Sequence, residues 1–187
     1  MSMKKILKLV MVLLLLVVSA CSSNSKEEEV EKVLDGALKD RLETMFFAFS
    51  VDDAYLISEL QNKIPDDNKQ FLVIDVTVEN TEDPENEEAK TLKMMDTDFY
   101  LAYKGGEIDA LSAYGHDPLV ENELPSEYEV KPGEKMSGKM VFVVPNDETT
   151  FTLKTQDLYT SSKEEGVIEG DVYSITLTPE VKEPTEE

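Results

Sequence analysis

Residues 71–79 alternate along an extended backbone. Leu72, Ile74, Val76 and Val78 fall on one side, and Asp75, Thr77 and Glu79 on the other. That is the period-two mark of a strand with one buried face. The same period recurs at Met45, Phe47, Phe49 and Val51; at Phe99, Leu101 and Tyr103, stopped by Gly105-Gly106; and at Met140, Phe142 and Val144, stopped by Pro145. Phe151 and Leu153 open another run, and Tyr173, Ile175 and Leu177 form the last, ended by Pro179. Residues 108–114 read as a further short strand. About seven short strands with turn residues between them predict an all-β chain, an antiparallel two-sheet sandwich over residues 43–178. Lys131-Pro132-Gly133-Glu134 has Pro and Gly where a type II turn takes them. Two long connections, 81–90 and 112–129, interrupt the pattern.

The chain ahead of residue 43 reads differently. Val30, Val33, Leu34, Ala37, Leu38 and Leu42 recur at gaps of mostly three and four, which fits a helix face over residues 27–42. With the polar stretch 22–26 this makes residues 21–42 a partly helical tether. Residues 1–20 have the order of an export signal: Lys4, Lys5 and Lys8, then ten apolar residues at 9–18, then Ser19 and Ala20. The apolar run is half of what a membrane-spanning helix needs. Val18-Ser19-Ala20-Cys21 resembles the bacterial lipobox, in which the signal is cut before a Cys that carries a diacylglyceryl thioether. Cys21, the only Cys in the chain, stands where that motif needs it. At the other end, residues 179–187 read as an acidic, frayed tail.

Charge narrows the partners. The 187 residues carry 18 Lys plus Arg against 40 Asp plus Glu, a net charge of −22. Loss of residues 1–20 removes three lysines and no acid, so the mature chain stands at −25. Such a body repels nucleic acid phosphates and an anionic lipid surface alike. The expected attachment to the bilayer is therefore through acylated Cys21 alone. That places the domain on the extracytoplasmic side of the cell membrane, where an envelope or secreted protein, or a small ligand, is its expected partner.

Two segments carry a family resemblance. FLVIDVTVENTED at 71–83 is an apolar strand closing on Glu-Asn and a polar loop, and PGEKMSGKMVFVVPND at 132–147 is a turn, a Gly and an apolar strand closed by Pro. Together, behind a lipobox, they resemble the bacterial extracellular family called domain of unknown function 4352. The resemblance covers roughly residues 43–178 and implies an immunoglobulin-like β-sandwich in an exported, often lipid-anchored binding domain. It brings no catalytic residues with it.

Candidate chemistry is sparse. The one His, His116, lies in the loop Tyr114-Gly115-His116-Asp117-Pro118 with no second His, and the one thiol is consumed by lipid. A nucleophile beside an oriented base is not recognisable, so no enzymatic activity is expected. Tyr114, His116 and Tyr128 in the long loop form the expected contact surface, since tyrosine offers an apolar ring with a polar tip. No motif requires a cofactor. Calcium is the one ion the acidic pattern suits, with Asp96 and Asp98 spaced to share a strand face and Glu82 and Asp83 crowding a loop. A calcium-binding adhesion or sensor module, or a carboxylate-based hydrolase or accessory domain, are the alternatives that an acid-rich chain leaves open.

Overall fold

The computed structural model describes residues 32–160 and 167–184. The expected export signal, Cys21 and the first part of the expected tether lie outside the described residues. Two five-stranded sheets face each other. One runs in the order β1 (Val33–Gly36), β11 (Val167–Leu177), β10 (Phe151–Thr160), β6 (Tyr100–Tyr103) and β7 (Gly106–Ile108). The other runs β12 (Glu180–Lys182), β3 (Ala48–Ile57), β4 (Lys69–Glu79) and β9 (Lys135–Pro145), with β2 (Leu42–Glu43) also paired to β3. A separate two-stranded ribbon joins β5 (Leu92–Met95) to β8 (Glu127–Val130). The architecture is the β-sandwich that the period-two runs predict, with more strands than seven because short edge strands leave little periodic signal.

Alternation builds the core. Leu72, Ile74, Val76 and Val78 of β4 and Met140, Phe142 and Val144 of β9 meet Phe151, Leu153, Tyr173, Ile175 and Leu177 from the opposite sheet. In β3 the inward positions are Phe49 and Val51, then Ala54 and Leu56. The pairing with β4 shifts between Val51 and Asp53, so a bulge at Asp52 resets the phase and keeps apolar residues inward.

The outer face of the second sheet divides in two. At one end Phe71, Val73 and Val141 are covered by Leu119 from the long connection, with Ile57 and Leu60 beside them. At the other end the face is polar and paired across strands. Asp75 sits opposite Lys139 and Glu79 opposite Lys135, with ion pairs of 3.1 and 3.2 Å. Between them the Thr77 hydroxyl bonds Ser137 at 2.8 Å and donates to Asp52 at 2.9 Å.

Four expectations are corrected. The described part of the 27–42 segment holds no helix: Val33–Gly36 is a strand, parallel to β11. A lone amphipathic helix is marginal without packing, whereas as a strand this segment lines up on an open sheet edge, the Ser174 hydroxyl donates to Asp35, and Leu34 packs on the core. The sandwich thus includes residues assigned to the tether. The tail likewise contributes β12, parallel to β3. Those two parallel pairings depart from an all-antiparallel sandwich. Finally, residues 108–114 are a short strand only to Ile108. Leu111–Tyr114 is a 3-10 turn stopped by Gly115 at φ 70°.

Candidate functional site

The polar–apolar boundary on the outer face opens into a cleft of about 1030 Å³. Its floor is the sheet, through Tyr55 and Lys139; its walls are the 60–63 turn, carrying Gln61 and Asn62, and the segment bearing Glu121 and Asn122. The turn is a two-residue loop: Leu60 and Lys63 exchange backbone hydrogen bonds of 3.0 and 2.8 Å. Gln61 and Asn62 both take left-handed backbone, at φ 49° and 59°. Turns of this kind favour Asn and Gly, and a Gln there is strained.

The Tyr55 ring is capped by a lysine. Lys182 of β12 lies 3.7 Å from its ring centroid, and the same ammonium pairs with Asp53 at 3.2 Å. Burial pushes the Tyr55 phenol above its ordinary value, against the opposing pull of Lys139 and Lys182. It remains a neutral hydrogen-bonding group at physiological pH. The cleft therefore offers amides, carboxylates, a phenol and one ammonium on a rigid sheet, a set that hydrogen-bonds a polar ligand.

A second cluster lies at the end of the ribbon. Met94 pairs with Tyr128 in register, and the Asp96 N–H continues the ladder to the Ser126 carbonyl at 3.0 Å. Asp96 and Tyr128 are thus diagonal neighbours on the inward face. They are 6% and 7% exposed, and the Asp96 Oδ2 and the Tyr128 hydroxyl have no hydrogen-bond partner among the described residues. An unpaired buried polar atom costs about 1–3 kcal/mol. Asp98 hooks back to accept the Met95 N–H at 2.7 Å. Burial, and then the charge of Asp96, raise the Asp98 carboxyl. Burial first, then Asp98 and Asp96, push the Tyr128 phenol well above its ordinary value.

The residues expected to form the site are dispersed. Tyr114 is exposed on the 3-10 turn and His116 is exposed just beyond it, while Tyr128 belongs to the core. One surface patch of these three is ruled out, because alternation in β8 sends Tyr128 inward with Val130. Asp96 and Asp98 do not share a strand face, since Asp96–Asp98 is a 3-10 turn. Glu82 and Asp83 are exposed, and Asp83 caps its own loop by accepting the Glu85 N–H at 2.9 Å. Among the described residues no group of three His, Cys, Asp or Glu side chains gathers at one place. The cleft residues Tyr55, Gln61 and Asn62 escaped the sequence reading. The Gln-Asn turn lacks the usual Gly, and the bulge before Tyr55 broke the strand's period.

An all-β sandwich with a polar surface cleft defines the class of protein. The chain matches the family described as "Domain of unknown function (DUF4352)" over residues 40–165, and it belongs to that family. Among solved structures it is similar to the yjhA protein of Bacillus subtilis, at 18% identity and a TM-score of 0.47, over 74% of this chain and 98% of that one. It is also similar to an uncharacterized β-sandwich protein of Clostridium difficile 630, at 11% identity and a TM-score of 0.46, over 81% and 98%. No curated protein matches the chain.

Proposed function

We propose that the protein is a lipid-anchored, extracytoplasmic binding domain that acts without catalysis. The anchor rests on the order of basic residues, apolar run, small residues and the sole Cys at 21. Two or more acyl chains hold a protein stably on a membrane, and a body at −25 stands away from the lipid surface. The binding reading rests on one observation: an open polar cleft of about 1030 Å³ whose rim keeps Gln61 in a strained left-handed conformation. Strain of this kind persists where surrounding structure enforces it, and it concentrates at ligand-holding sites. Tyr55, Asn62, Glu121 and Asn122 supply donors and acceptors to an envelope component or a small polar ligand.

Photo-crosslinking in intact cells tests this reading. A photoreactive residue replacing Asn62 or Glu121 captures a discrete partner, and the same residue at Glu88, in an exposed loop, does not. Equal capture from both places, or capture from Glu88 alone, contradicts the assignment of the cleft.

A further inference from the structure

We propose that Asp96, Asp98 and Tyr128 form a site for one hard divalent cation, calcium by preference, at the end of the β5–β8 ribbon. This inference stands independently of the cleft. Two polar atoms more than nine-tenths buried, the Asp96 Oδ2 and the Tyr128 hydroxyl, have no partner among the described residues. Strand register puts them on one inward face as diagonal neighbours. Asp98 joins them from the same 3-10 turn, and its bond to the Met95 N–H occupies one carboxylate oxygen, leaving the other. None of the ion pairs among the described residues engages Asp96 or Asp98. Two carboxylates at one partly buried place therefore stand with no cationic side chain to offset them.

Ligand chemistry selects the guest. All the protein donors are hard oxygens, which disfavours the softer metals that prefer imidazole or thiolate. Magnesium demands a regular octahedron, whereas calcium accepts an irregular shell of six to eight oxygens completed by water. Two carboxylates and a neutral hydroxyl make a weak site. The expected dissociation constant is about 10⁻⁴–10⁻³ M, the range of extracellular calcium modules.

The test uses the full chain in detergent micelles, stripped with chelator and then melted with about 10 mM calcium or magnesium. Calcium should raise the melting temperature by about 3–10 °C and magnesium by far less. Asp96→Asn should abolish the calcium shift and melt no lower than the wild type in chelator, because the neighbouring Asp98 charge is relieved. Terbium supplies a second readout that does not depend on that variant folding. The chain has no Trp and seven Tyr, so sensitised terbium emission must come from tyrosine. It should fall in Tyr128→Phe and be displaced by calcium. A wild-type melt that calcium leaves unchanged overturns the site, including the case where it moves only with pH, as a proton shared by the carboxylates would make it. So does a calcium shift that survives Asp96→Asn but is lost in Glu82→Gln/Asp83→Asn.

Discussion

Asn80 and Gly133 are bound to each other's turns. The Gly133 N–H donates to the Asn80 carbonyl at 3.0 Å, and the Asn80 N–H donates to the Glu134 carbonyl at 3.1 Å. The Asn80 side chain, 1% exposed, then donates to the carbonyls of Lys90 and Val130 at 2.9 Å each. One residue thus ties the end of β4, the turn before β9, the end of β8 and the loop before β5. These are also the two segments whose sequences carry the family resemblance, so their resemblance has a structural reason. Asn80→Ala strands two carbonyls and should cost about 2–4 kcal/mol in chemical denaturation. Gly133→Ala should cost about 1 kcal/mol or more, since φ is 71° there and a methyl would meet Pro84 at 3.1 Å. An Asn80→Ala variant as stable as the wild type would remove the residue from this role.

Opposite faces of β4 should respond differently to substitution. Val76 is 1% exposed in the core, so Val76→Asp buries an unpaired charge and should cost several kcal/mol, on the order of 3–5. Thr77→Val removes bonds to Asp52 and Ser137 on the polar outer face and should cost about 1 kcal/mol. Gly138, the register partner of Val76, is a matter of space: a Cβ would lie 2.8 Å from the Asn122 carbonyl. Gly138→Ala should cost about 1–3 kcal/mol. Urea denaturation of the three variants ranks them; equal losses at Val76 and Thr77 would contradict the facing of the strand.

Strain on the cleft rim has an opposite sign. Gln61→Gly allows φ 49° without a Cβ penalty and should stabilise the protein by about 1 kcal/mol. The same change should weaken capture at the cleft, because the Gln amide is lost. A destabilised Gln61→Gly would show that the side chain contributes more to stability than the strain costs.

High pH probes the buried end of β10. The Tyr173 hydroxyl donates to Asp157 at 3.1 Å, and burial together with that carboxylate pushes its pKa from 10.0 up to about 12. The folded state therefore holds the phenolic proton more tightly than the unfolded chain does. That contribution is fully present below pH 10 and is lost as pH rises from 10 toward about 12. Screened in part by solvent, the loss amounts to about 1–2 kcal/mol. Tyr173→Phe should flatten the decline, measured as denaturation midpoints across the interval.

The long strands were legible because each keeps one face dry: Leu72 to Val78, Met140 to Val144 and Tyr173 to Leu177 repeat with period two and bury in that pattern. Edge strands were not. Val33–Gly36 is only four residues, exposed on one face and half-buried on the other, so its spacing fits a helix stripe as well as a strand. β3 was legible only up to Val51, since a bulge reverses the alternation there. For the candidate sites, spacing paired Asp96 with Asp98, and Tyr128 was grouped with Tyr114 and His116 instead. Their meeting depends on the β5–β8 register and on a 3-10 turn that no local signal marks. The cleft depends on how residues 118–122 fold over a sheet face, a long-range contact with no periodic trace.

The anchor is the claim on which localisation and function both depend. Mass spectrometry of the N-terminal peptide from membrane-extracted protein tests it most directly. The account predicts a peptide beginning at Cys21 with a diacylglyceryl thioether and no unmodified thiol, and Cys21→Ser should remove the acylation and leave uncleaved precursor or soluble protein. A peptide that begins at any other residue, or at Cys21 with a free thiol in protein still held in the membrane fraction, would contradict it.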